Sequence, residues 1–451
     1  MKRVATLFLL VVLALTAARV PAAVPATATE TSFGLIDAEE LQLSYQHLNE
    51  QFYKKIDEQA TLDSVRDSLD EYLKHTGVAK PKLAVMVAYD DPSKTEREID
   101  REVQVASRQY HANPRELTYA AISGMMNSVH DRYTVFLDPK DFADLNQGLD
   151  GTTFSGTGIV IQSDDGTKMI TVSNVVPDGP ADKAGIQQDD VIWTIDGKST
   201  KGLRIDQASQ LLRGKQGTPV TLEIQRDGKL LPAMTLVREP IKQLSVYEKM
   251  LPNKIGYVAL TVFGRDTSDE LNTALDRLQA QGARAFVLDL RDNGGGYLDA
   301  AVAVSSKFIP SGPIVSVESR QSNIVTIEAE NTAINPVPLA VLVNGHTASA
   351  SEITSGAIQD SGVGTLIGSK TFGKGVVQTI YPLPDGSAVK ITTARYLTPH
   401  NRDINTVGIE PDIKADENKN PRFGDPTKDT QLQTAINFLT NKIAAQSANG
   451  A

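Results

Sequence analysis

The sequence has 451 residues, of which 40% are hydrophobic and 22% are charged, and its formal net charge is −10. This length predicts several domains. The acidic balance and the lack of a long basic run disfavour a nucleic-acid partner, which would need a positive face. The sequence has no cysteine, which excludes disulfides, thiol chemistry and a lipid anchor on an N-terminal cysteine.

The basic, apolar and small residues at the start of the sequence follow one another in the order found in a secretory signal. Lys2 and Arg3 precede an apolar run at 4–17, and small residues follow as far as Ala28. This order is typical of a signal peptide, and the apolar run is about two-thirds of the length that a membrane span needs. We therefore expect a signal peptide at 1–28 and export, to a bacterial periplasm or cell envelope. A short uncleaved anchor is the alternative.

Residues 29–147 form the next region, and their pattern is mostly helical. Apolar residues recur at helical spacing in 41–56 and again in 63–73. A further helix is predicted from Pro114, a residue suited to the first turn. Between the second periodic stretch and Pro114, residues 78–113 predict only a helix at 94–110. We therefore expect a helical N-terminal region.

The sequence pattern changes from helical to strand-like at 148–240. Turn residues separate short strand-like runs, and one helical piece occurs at 206–213. The runs are TGIVIQ, MITVSNVV, DVIWTID, PVTLEIQR and AMTLVRE. So many short strands within ~90 residues predict a small β-rich module.

Strands and helices alternate in 241–414. The predicted helices are 268–281, 298–308 and 351–361. The predicted strands are KIGYVAL, AFVLDL, LAVLVN, GTLIG, VVQTIY and AVKITTARY. Such alternation indicates an α/β core with a mostly parallel sheet. Residues 415–451 predict a polar linker and an amphipathic helix, so the fold class of the whole chain is multidomain α/β.

A first candidate for chemistry follows the strand LAVLVN, where small residues lead into a helix that starts near Ser351. A serine on this turn, such as Ser349, would face solvent in front of a helix N terminus, which favours developing negative charge. The competing interpretation is that both serines are helix caps. His346 precedes Ser349 too closely to act as its base, and the six histidines show no metal-ligand spacing. We therefore expect no metal.

The stretch GSKTFGKGVV at 368–377 resembles a phosphate-binding loop but has Gly375 where that loop needs a hydroxyl. The residues that follow predict a strand, whereas a phosphate loop opens into a helix. The sequence therefore predicts that no nucleotide binds here.

Lys374, between two glycines in this stretch, has two interpretations. It is either a surface lysine in a turn or a buried amine whose pKa is depressed from about 10.4 towards neutrality, at a cost on the order of 4 kcal/mol. A neutral amine could accept the proton of Ser349. Gln378 lies four residues further along the predicted strand, where it would share a face with Lys374 and could orient the amine.

The glycine run in LDLRDNGGG is the third candidate. Backbone N–H groups that point outward from such a run can hold an oxyanion, and each is worth roughly 2.7–4 kcal/mol in the transition state. An ordinary flexible turn or a phosphate cradle is the alternative. Asp289 is predicted to pair with Arg291 at the strand end, and Asp292 and Asp299 to be a turn residue and a helix-face residue, so paired-carboxylate catalysis is disfavoured.

These three stretches, in this order, resemble the C-terminal processing peptidases, also called tail-specific proteases. That family carries a PDZ domain inserted ahead of a serine–lysine catalytic core. The similarity extends over about 118–439 and includes SVHDRYTVFLDP, FSGTGIVI, TASASEI, GSKTFGKGVVQT and VGIEPDI. The resemblance implies a ClpP/crotonase-like α/β core at 241–414 and a PDZ domain at 148–240. It further implies a serine endopeptidase without cofactor, acting on polypeptides with accessible C termini, and it allows a homo-oligomer.

The resemblance also assigns residues. The nucleophile falls on Ser349, the general base on Lys374 and its orienting amide on Gln378. The oxyanion hole falls on the N–H groups of Ala350 and Gly296, with Gly295 as the alternative to Gly296. The carboxylate-binding loop of the PDZ domain falls on Ser155, Gly156, Thr157, Gly158 and Ile159.

The sequence departs from the family in places. His346 stands where a small residue is usual, Asp189 replaces a usual glycine, and the resemblance implies no function for 78–113. Two other classes of protein stay open. A non-catalytic PDZ adaptor would need only 151–239, and a nucleotide-binding protein would need a helix after 368–375.

Overall fold

The computed structural model describes residues 34–150, 153–163, 167–176, 179–187, 189–242, 244–416 and 426–449. The expected signal peptide at 1–28 lies outside these residues. None of the helices within the described ranges is long and apolar enough to span a bilayer.

The N-terminal region is a helical unit that ends in a strand and a further helix. Its elements are α1 (Leu35–Gln51), α2 (Glu58–His75), α3 (Pro92–Tyr110), α4 (Pro114–Asn127), β1 (Val135–Leu137) and α5 (Pro139–Asp150). The predicted helices are confirmed, and Pro114 occupies the first turn of α4 as expected. Buried residues of α1 to α4 share one core with Val389 and Ile391, so these helices pack directly on a strand from much later in the chain.

The β-rich module follows. Its elements are β2 (Thr153–Gly156), β3 (Ile159–Ser163), β4 (Ile170–Val175), α6 (Pro180–Lys183), β5 (Val191–Ile195), β6 (Lys198–Ser199), α7 (Ile205–Leu212), β7 (Pro219–Arg226), β8 (Lys229–Leu230), β9 (Met234–Val237) and β10 (Glu239–Lys242). The main sheet runs β3-β4-β5-β7-β8, which leaves β3 at its edge. The entry strand β2 pairs with the exit strand β10. The chain therefore leaves the module beside the point where it enters, as an inserted unit requires.

The α/β region contains the remaining elements. They are β11 (Val246–Leu251), β12 (Ile255–Leu260), α8 (Thr267–Ala280), β13 (Ala285–Asp289), α9 (Leu298–Ser306), β14 (Pro313–Ser319), β15 (Val325–Glu328), β16 (Leu339–Val343), α10 (Ala350–Ser361), β17 (Thr365–Gly368), β18 (Val376–Pro382), β19 (Ala388–Leu397), β20 (Ile413–Lys414) and α11 (Thr430–Asn449).

A six-stranded sheet in the order β11-β12-β13-β16-β17-β20 forms the centre of this region. Its pairings from β12 to β20 are parallel and only β11 is antiparallel, so the predicted mostly parallel sheet is confirmed. Helices α8, α9 and α10 contribute to the core on one face, and α11 contributes to the core on the other. Every residue of β12, β13 and β16 is buried, as expected for strands covered on both faces.

Two predicted strands do not belong to the parallel sheet. β18 and β19 pair antiparallel in a second sheet, together with β1, β14 and β15. Only a short loop joins β18 to β19, and a connection of that length can form a hairpin but not a parallel crossover. The mostly helical N-terminal region also contributes one strand to this second sheet, because β1 pairs antiparallel with β19.

Candidate active site

The candidate residues converge at the carboxyl ends of neighbouring parallel strands. The glycine run follows β13, the turn that carries Ser349 follows β16, and the loop that carries Lys374 follows β17. Ligands of open α/β sheets bind in the crevice at this edge. Three loops that are distant in sequence therefore meet because the strands before them are neighbours in one sheet.

Ser349 occupies a strained turn between β16 and α10. Its backbone has φ 58° and ψ −118°, a conformation that L-residues avoid and that costs on the order of 1–3 kcal/mol. It immediately precedes α10, yet its side chain makes no capping hydrogen bond. The capping interpretation is therefore wrong for Ser349, whose hydroxyl remains available. Ser351 instead uses its hydroxyl inside the fold, donating to the carbonyl of Asn293 at 2.9 Å.

Glu352 joins the serine turn to the lysine loop. Its side chain is fully buried, and each carboxylate oxygen accepts two hydrogen bonds. Oε2 accepts from the backbone N–H of Ser349 at 3.0 Å and of Lys374 at 2.8 Å. Oε1 accepts from Thr371 Oγ1 at 2.5 Å and from the N–H of Gly373 at 2.8 Å. One carboxylate thus fixes the spacing between the two backbones.

Tyr396 makes a second link between the same two residues. Its hydroxyl lies 2.6 Å from the carbonyl oxygen of Lys374 and 3.2 Å from that of Ser349. Burial raises the pKa of Tyr396 well above its ordinary value, so the hydroxyl keeps the proton that it donates. The backbone of each residue is therefore contacted on both sides, at its N–H by Glu352 and at its carbonyl by the hydroxyl of this tyrosine.

Lys374 is partly buried, and its Nζ lies 4.9 Å from the centre of the Tyr133 ring. Burial, together with the positive charge of Lys390, lowers the pKa of Lys374 from 10.5 to about 8. The interpretation as an exposed turn lysine is wrong. Both residues are described by the structure, and Nζ makes no hydrogen bond to Ser349 Oγ there. Catalytic hydrogen bonds of free enzymes often tighten only once substrate binds.

Gln378 lies in β18, but the expected strand geometry does not hold. Lys374 precedes β18, which begins at Val376, and a register irregularity separates Val377 from Gln378. The two side chains therefore do not share a face through simple strand alternation. Gln378 Nε2 donates to Thr392 Oγ1 at 3.3 Å.

The glycine run packs against the serine turn. A Cβ added to Gly295 would lie 2.8 Å from Ser349 Cβ and 2.9 Å from the Ala350 nitrogen, so only glycine allows this approach. The N–H of Gly295 donates to Asn293 Oδ1 at 2.9 Å. The N–H groups of Gly296 and Ala350 have no acceptor among the residues that the structure describes. The geometry thus favours Gly296 over Gly295 as the partner of Ala350.

Polar side chains around the site hold these loops in place. Asn293 donates from Nδ2 to Leu260 O at 2.8 Å and accepts at its own carbonyl from the Ala348 N–H at 3.0 Å. The predicted pair of Asp289 and Arg291 is confirmed, with 2.6 Å between Oδ2 and the guanidinium. His346 is exposed, and its Nδ1 lies 3.0 Å from Asp292 Oδ1.

The expected carboxylate-binding loop leads into the edge strand β3. Gly156 pairs with Glu239, and the carbonyls of Thr157 and Gly158 accept from the N–H groups of Ala181 and Val176 at 2.9 and 2.8 Å. The strand that follows begins at Ile159. The departure at Asp189 is accommodated by the backbone, because this residue adopts φ 70°, as a glycine would. Ser155 lies beside the loop in β2.

Sequence reasoning missed several residues of the site. Glu352 follows Ser349 at the S-x-x-E spacing of a capping box, and this local signal could have found it. Half of that box is present, since the glutamate accepts from the serine N–H. Tyr396 and Tyr133 have no comparable local signal. Among the described residues, no three His, Cys, Asp or Glu side chains are grouped to hold a metal ion.

Similarity to known proteins agrees with this architecture. Residues 254–415 match peptidase family S41, and residues 171–226 match the PDZ domain. The carboxyl-terminal-processing protease of Synechocystis is 36% identical over 337 residues, which cover 73% of this chain and 78% of that protein. The carboxy-terminal processing protease CtpA of Bacillus subtilis is 38% identical over 302 residues, which cover 67% of this chain and 64% of that protein.

A solved S41 protease from Bacteroides fragilis shares the fold. It is 17% identical with a TM-score of 0.55, and the match covers 93% of this chain and 99% of that one. Fold and similarity together define a serine protease with a PDZ domain, which acts on polypeptides. The chain belongs to peptidase family S41. A purely non-catalytic adaptor is thereby excluded, and the loop at 368–375 opens into the strand β18 instead of the helix that a phosphate loop requires.

Proposed function

We propose that this chain is an exported serine endopeptidase in which Ser349 is the nucleophile and Lys374 the general base. The observation that carries the proposal is the double bridge between them: Glu352 binds both backbone N–H groups and Tyr396 contacts both carbonyls. Such bridging holds two loops in register, which is what a catalytic pair needs. The lowered pKa of Lys374, about 8, supports its use as a neutral base near physiological pH.

The reaction proceeds by acyl transfer. Ser349 Oγ attacks the peptide carbonyl carbon while the neutral Nζ of Lys374 accepts its proton. The carbonyl oxygen becomes an oxyanion, which accepts from the N–H groups of Ala350 and Gly296. The protonated lysine then donates its proton to the leaving amine as the C–N bond breaks. Water attacks the acyl-enzyme with Lys374 again as base, and the carboxylic acid product and Ser349 are released.

Substrate selection is assigned to the PDZ module. The relatives are named for carboxyl-terminal processing, and we extend that substrate class to this chain, so polypeptides with accessible C termini are the expected substrates. The C-terminal residues would add as a strand to β3, which lies at the edge of the sheet formed by the described strands. The terminal carboxylate would then lie against the loop from Gly156 to Gly158.

Replacement of Ser349 tests the catalytic assignment. Ser349→Ala should abolish cleavage of a disordered test polypeptide without changing the unfolding temperature. Ser361→Ala, an exposed position at the end of the same helix, is the matched control and should cleave normally. A fluorophosphonate should label wild-type protein at Ser349, as mapped by mass spectrometry. Normal cleavage by Ser349→Ala, or a label confined to another residue, would refute the assignment.

Export and tail recognition need separate measurements. The mature protein isolated from the cell envelope should begin near residue 29, and a fully cytoplasmic protein that keeps Met1 would contradict export. A substrate whose C-terminal carboxylate is amidated should be cleaved with a higher KM than the free acid. Equal KM values for the two substrates would argue against carboxylate recognition by the PDZ loop.

A further inference from the structure

Part of the wall of the candidate site comes from the N-terminal region, ahead of the PDZ module. The strand β1 pairs with β19 through Val135 and Lys390. This pairing brings the preceding residues 131–134 beside the lysine loop and the hairpin β18–β19. The ring of Tyr133 faces the Nζ of Lys374 at 4.9 Å. A segment more than 200 residues away in sequence therefore borders the proposed base.

Asp131 is the centre of a hydrogen-bond chain in this segment. Its Oδ2 accepts from Thr134 Oγ1 at 2.8 Å and, through a short hydrogen bond, from Thr392 Oγ1. Its Oδ1 accepts from the N–H of Tyr133 at 3.3 Å. Thr392 is fully buried, and its Oγ1 in turn accepts from Gln378 Nε2 at 3.3 Å. The chain thus runs from a carboxylate to the amide of the proposed orienting residue.

The chemistry of the carboxylate fixes the direction of this chain. An ionised carboxylate can only accept, so the single hydroxyl proton of Thr392 points to Asp131. The oxygen of Thr392 is then left to accept, and it can bind only the NH₂ side of the Gln378 amide. The amide oxygen of Gln378 is consequently turned away from Thr392, and no donor contacts it among the residues that the structure describes. The orientation of an amide is assigned from such partners.

The same carboxylate belongs to the charges around the proposed base. Asp131 and Glu352 favour the protonated form of Lys374, whereas Lys390 and Arg132 disfavour it. Lys390 lies on β19 opposite Ile380 of β18. Asp131 therefore acts on the amine through its charge, and its hydrogen-bond chain ends at the Gln378 amide.

We infer that Asp131 is a positioning residue of the peptidase site, which sets the direction of the Thr392–Gln378 chain so that the amide oxygen of Gln378 is presented to the Lys374 amine. The inference rests on the proposed Ser349–Lys374 pair. It also gives the N-terminal region a part in catalysis, because this region supplies the carboxylate.

The test begins with Asp131→Asn in the full-length protein. Asparagine has nearly the same shape but can donate, so the hydroxyl of Thr392 can turn to the amide oxygen of Gln378. We expect kcat to fall by about 10–100-fold, as small misplacements of catalytic groups do, with little change in KM. Loss of the negative charge should also move the acidic limb of the kcat/KM profile to lower pH. Lys390→Met, which removes a positive charge, should move that limb to higher pH.

Variants of Thr392 separate the effect of the hydrogen-bond chain from the effect of the Asp131 charge. Thr392→Val breaks the chain and keeps the charge of Asp131, so kcat should fall while the acidic limb stays in place. Thr392→Ser keeps the hydroxyl and should restore most of the activity. If circular dichroism and melting show that Asp131→Asn does not fold, the two Thr392 variants test the inference in its place. Asp90→Asn, at an exposed position of the N-terminal region, is the matched control and should behave as wild type.

The outcomes distinguish this inference from the proposed function. If Ser349→Ala and Lys374→Met are inactive while folded Asp131→Asn and Thr392→Val have wild-type kcat and pH profiles, the positioning role is refuted and the catalytic pair stands. If Lys374→Met is active, the catalytic pair itself is refuted. Equal losses of activity in Thr392→Val and Thr392→Ser would also refute the role, since the hydroxyl would then be irrelevant.

Discussion

The proposed base lowers the stability of the fold, and this cost can be measured. Burial holds the pKa of Lys374 at about 8 instead of 10.5. Since each pH unit of difference corresponds to about 1.4 kcal/mol, the buried ammonium costs about 3 kcal/mol. Lys374→Met removes the charge and keeps most of the side-chain volume. We expect this variant to be inactive but more stable than wild type by about 3 kcal/mol at pH 7.

The pH dependence of this gain has a definite sign. Below pH 8 the lysine is protonated in both the folded and the unfolded chain, so the folded protein bears the whole cost of the buried charge. Between pH 8 and 10.5 the folded protein releases the proton first, so the stability of wild type rises with pH. The advantage of Lys374→Met should therefore shrink across this window and be small at pH 10.5.

Urea unfolding at pH 7 and at pH 10 measures this difference. The midpoint of Lys374→Met should exceed that of wild type at pH 7 with an unchanged denaturant dependence, and the two midpoints should approach each other at pH 10. Lys249→Met, at an exposed lysine of β11, is the matched control and should change stability little at either pH. A Lys374→Met variant that is no more stable than wild type, or equally more stable at both pH values, would refute the reasoning.

Three further predictions concern other parts of the fold. Glu352→Gln keeps an acceptor for about two of the four donors at this carboxylate, so it should lose roughly 3–6 kcal/mol of stability and most of its kcat. Urea unfolding and initial rates measure both effects, with the exposed Glu328→Gln as the control. A wild-type kcat in Glu352→Gln would contradict the prediction. Gly295→Ala places a Cβ 2.8 Å from Ser349 Cβ at φ 100°, so its fluorophosphonate labelling should be slow; labelling at the wild-type rate would contradict this close packing. Burial raises the pKa of Glu40 from 4.5 to about 8, so wild type should lose stability as the pH rises from 4.5 to 8. Glu40→Gln should flatten this dependence in thermal unfolding, and an unchanged slope would disprove the assignment.

The strands and helices of the α/β region could be predicted because their signals are local. β12, β13 and β16 are buried at every position, and such strands appear in sequence as short apolar runs between polar loops. The position of Ser349 followed from the same pattern, since the turn after a buried strand and before a helix is visible in the sequence. The separation of β18 and β19 into a second sheet could not be seen in this way. It depends on a short connection and on partners, β1 and β14, that lie far away in the chain.

The supporting residues of the site were missed for a related reason. Asp131 and Thr392 are 261 positions apart, and Tyr396 follows Ser349 by 47 positions. No periodicity connects residues at such distances, and one sequence carries no record of which of them touch. Glu352 is the exception, because its spacing from Ser349 is that of a capping box. Its link to Lys374 nevertheless became visible only in the folded chain.

The arrangement of the two carboxylates explains how a lysine can be kept near neutrality beside negative charge. An ion pair with either carboxylate would raise the pKa of Lys374 and remove it as a base. Glu352 binds the backbone N–H of Lys374, and the oxygens of Asp131 accept from two hydroxyls and one N–H. Among the described residues, neither carboxylate forms an ion pair with Nζ. Both acids raise the pKa of Lys374 through their charge, but neither binds Nζ directly, so the lowering by burial prevails.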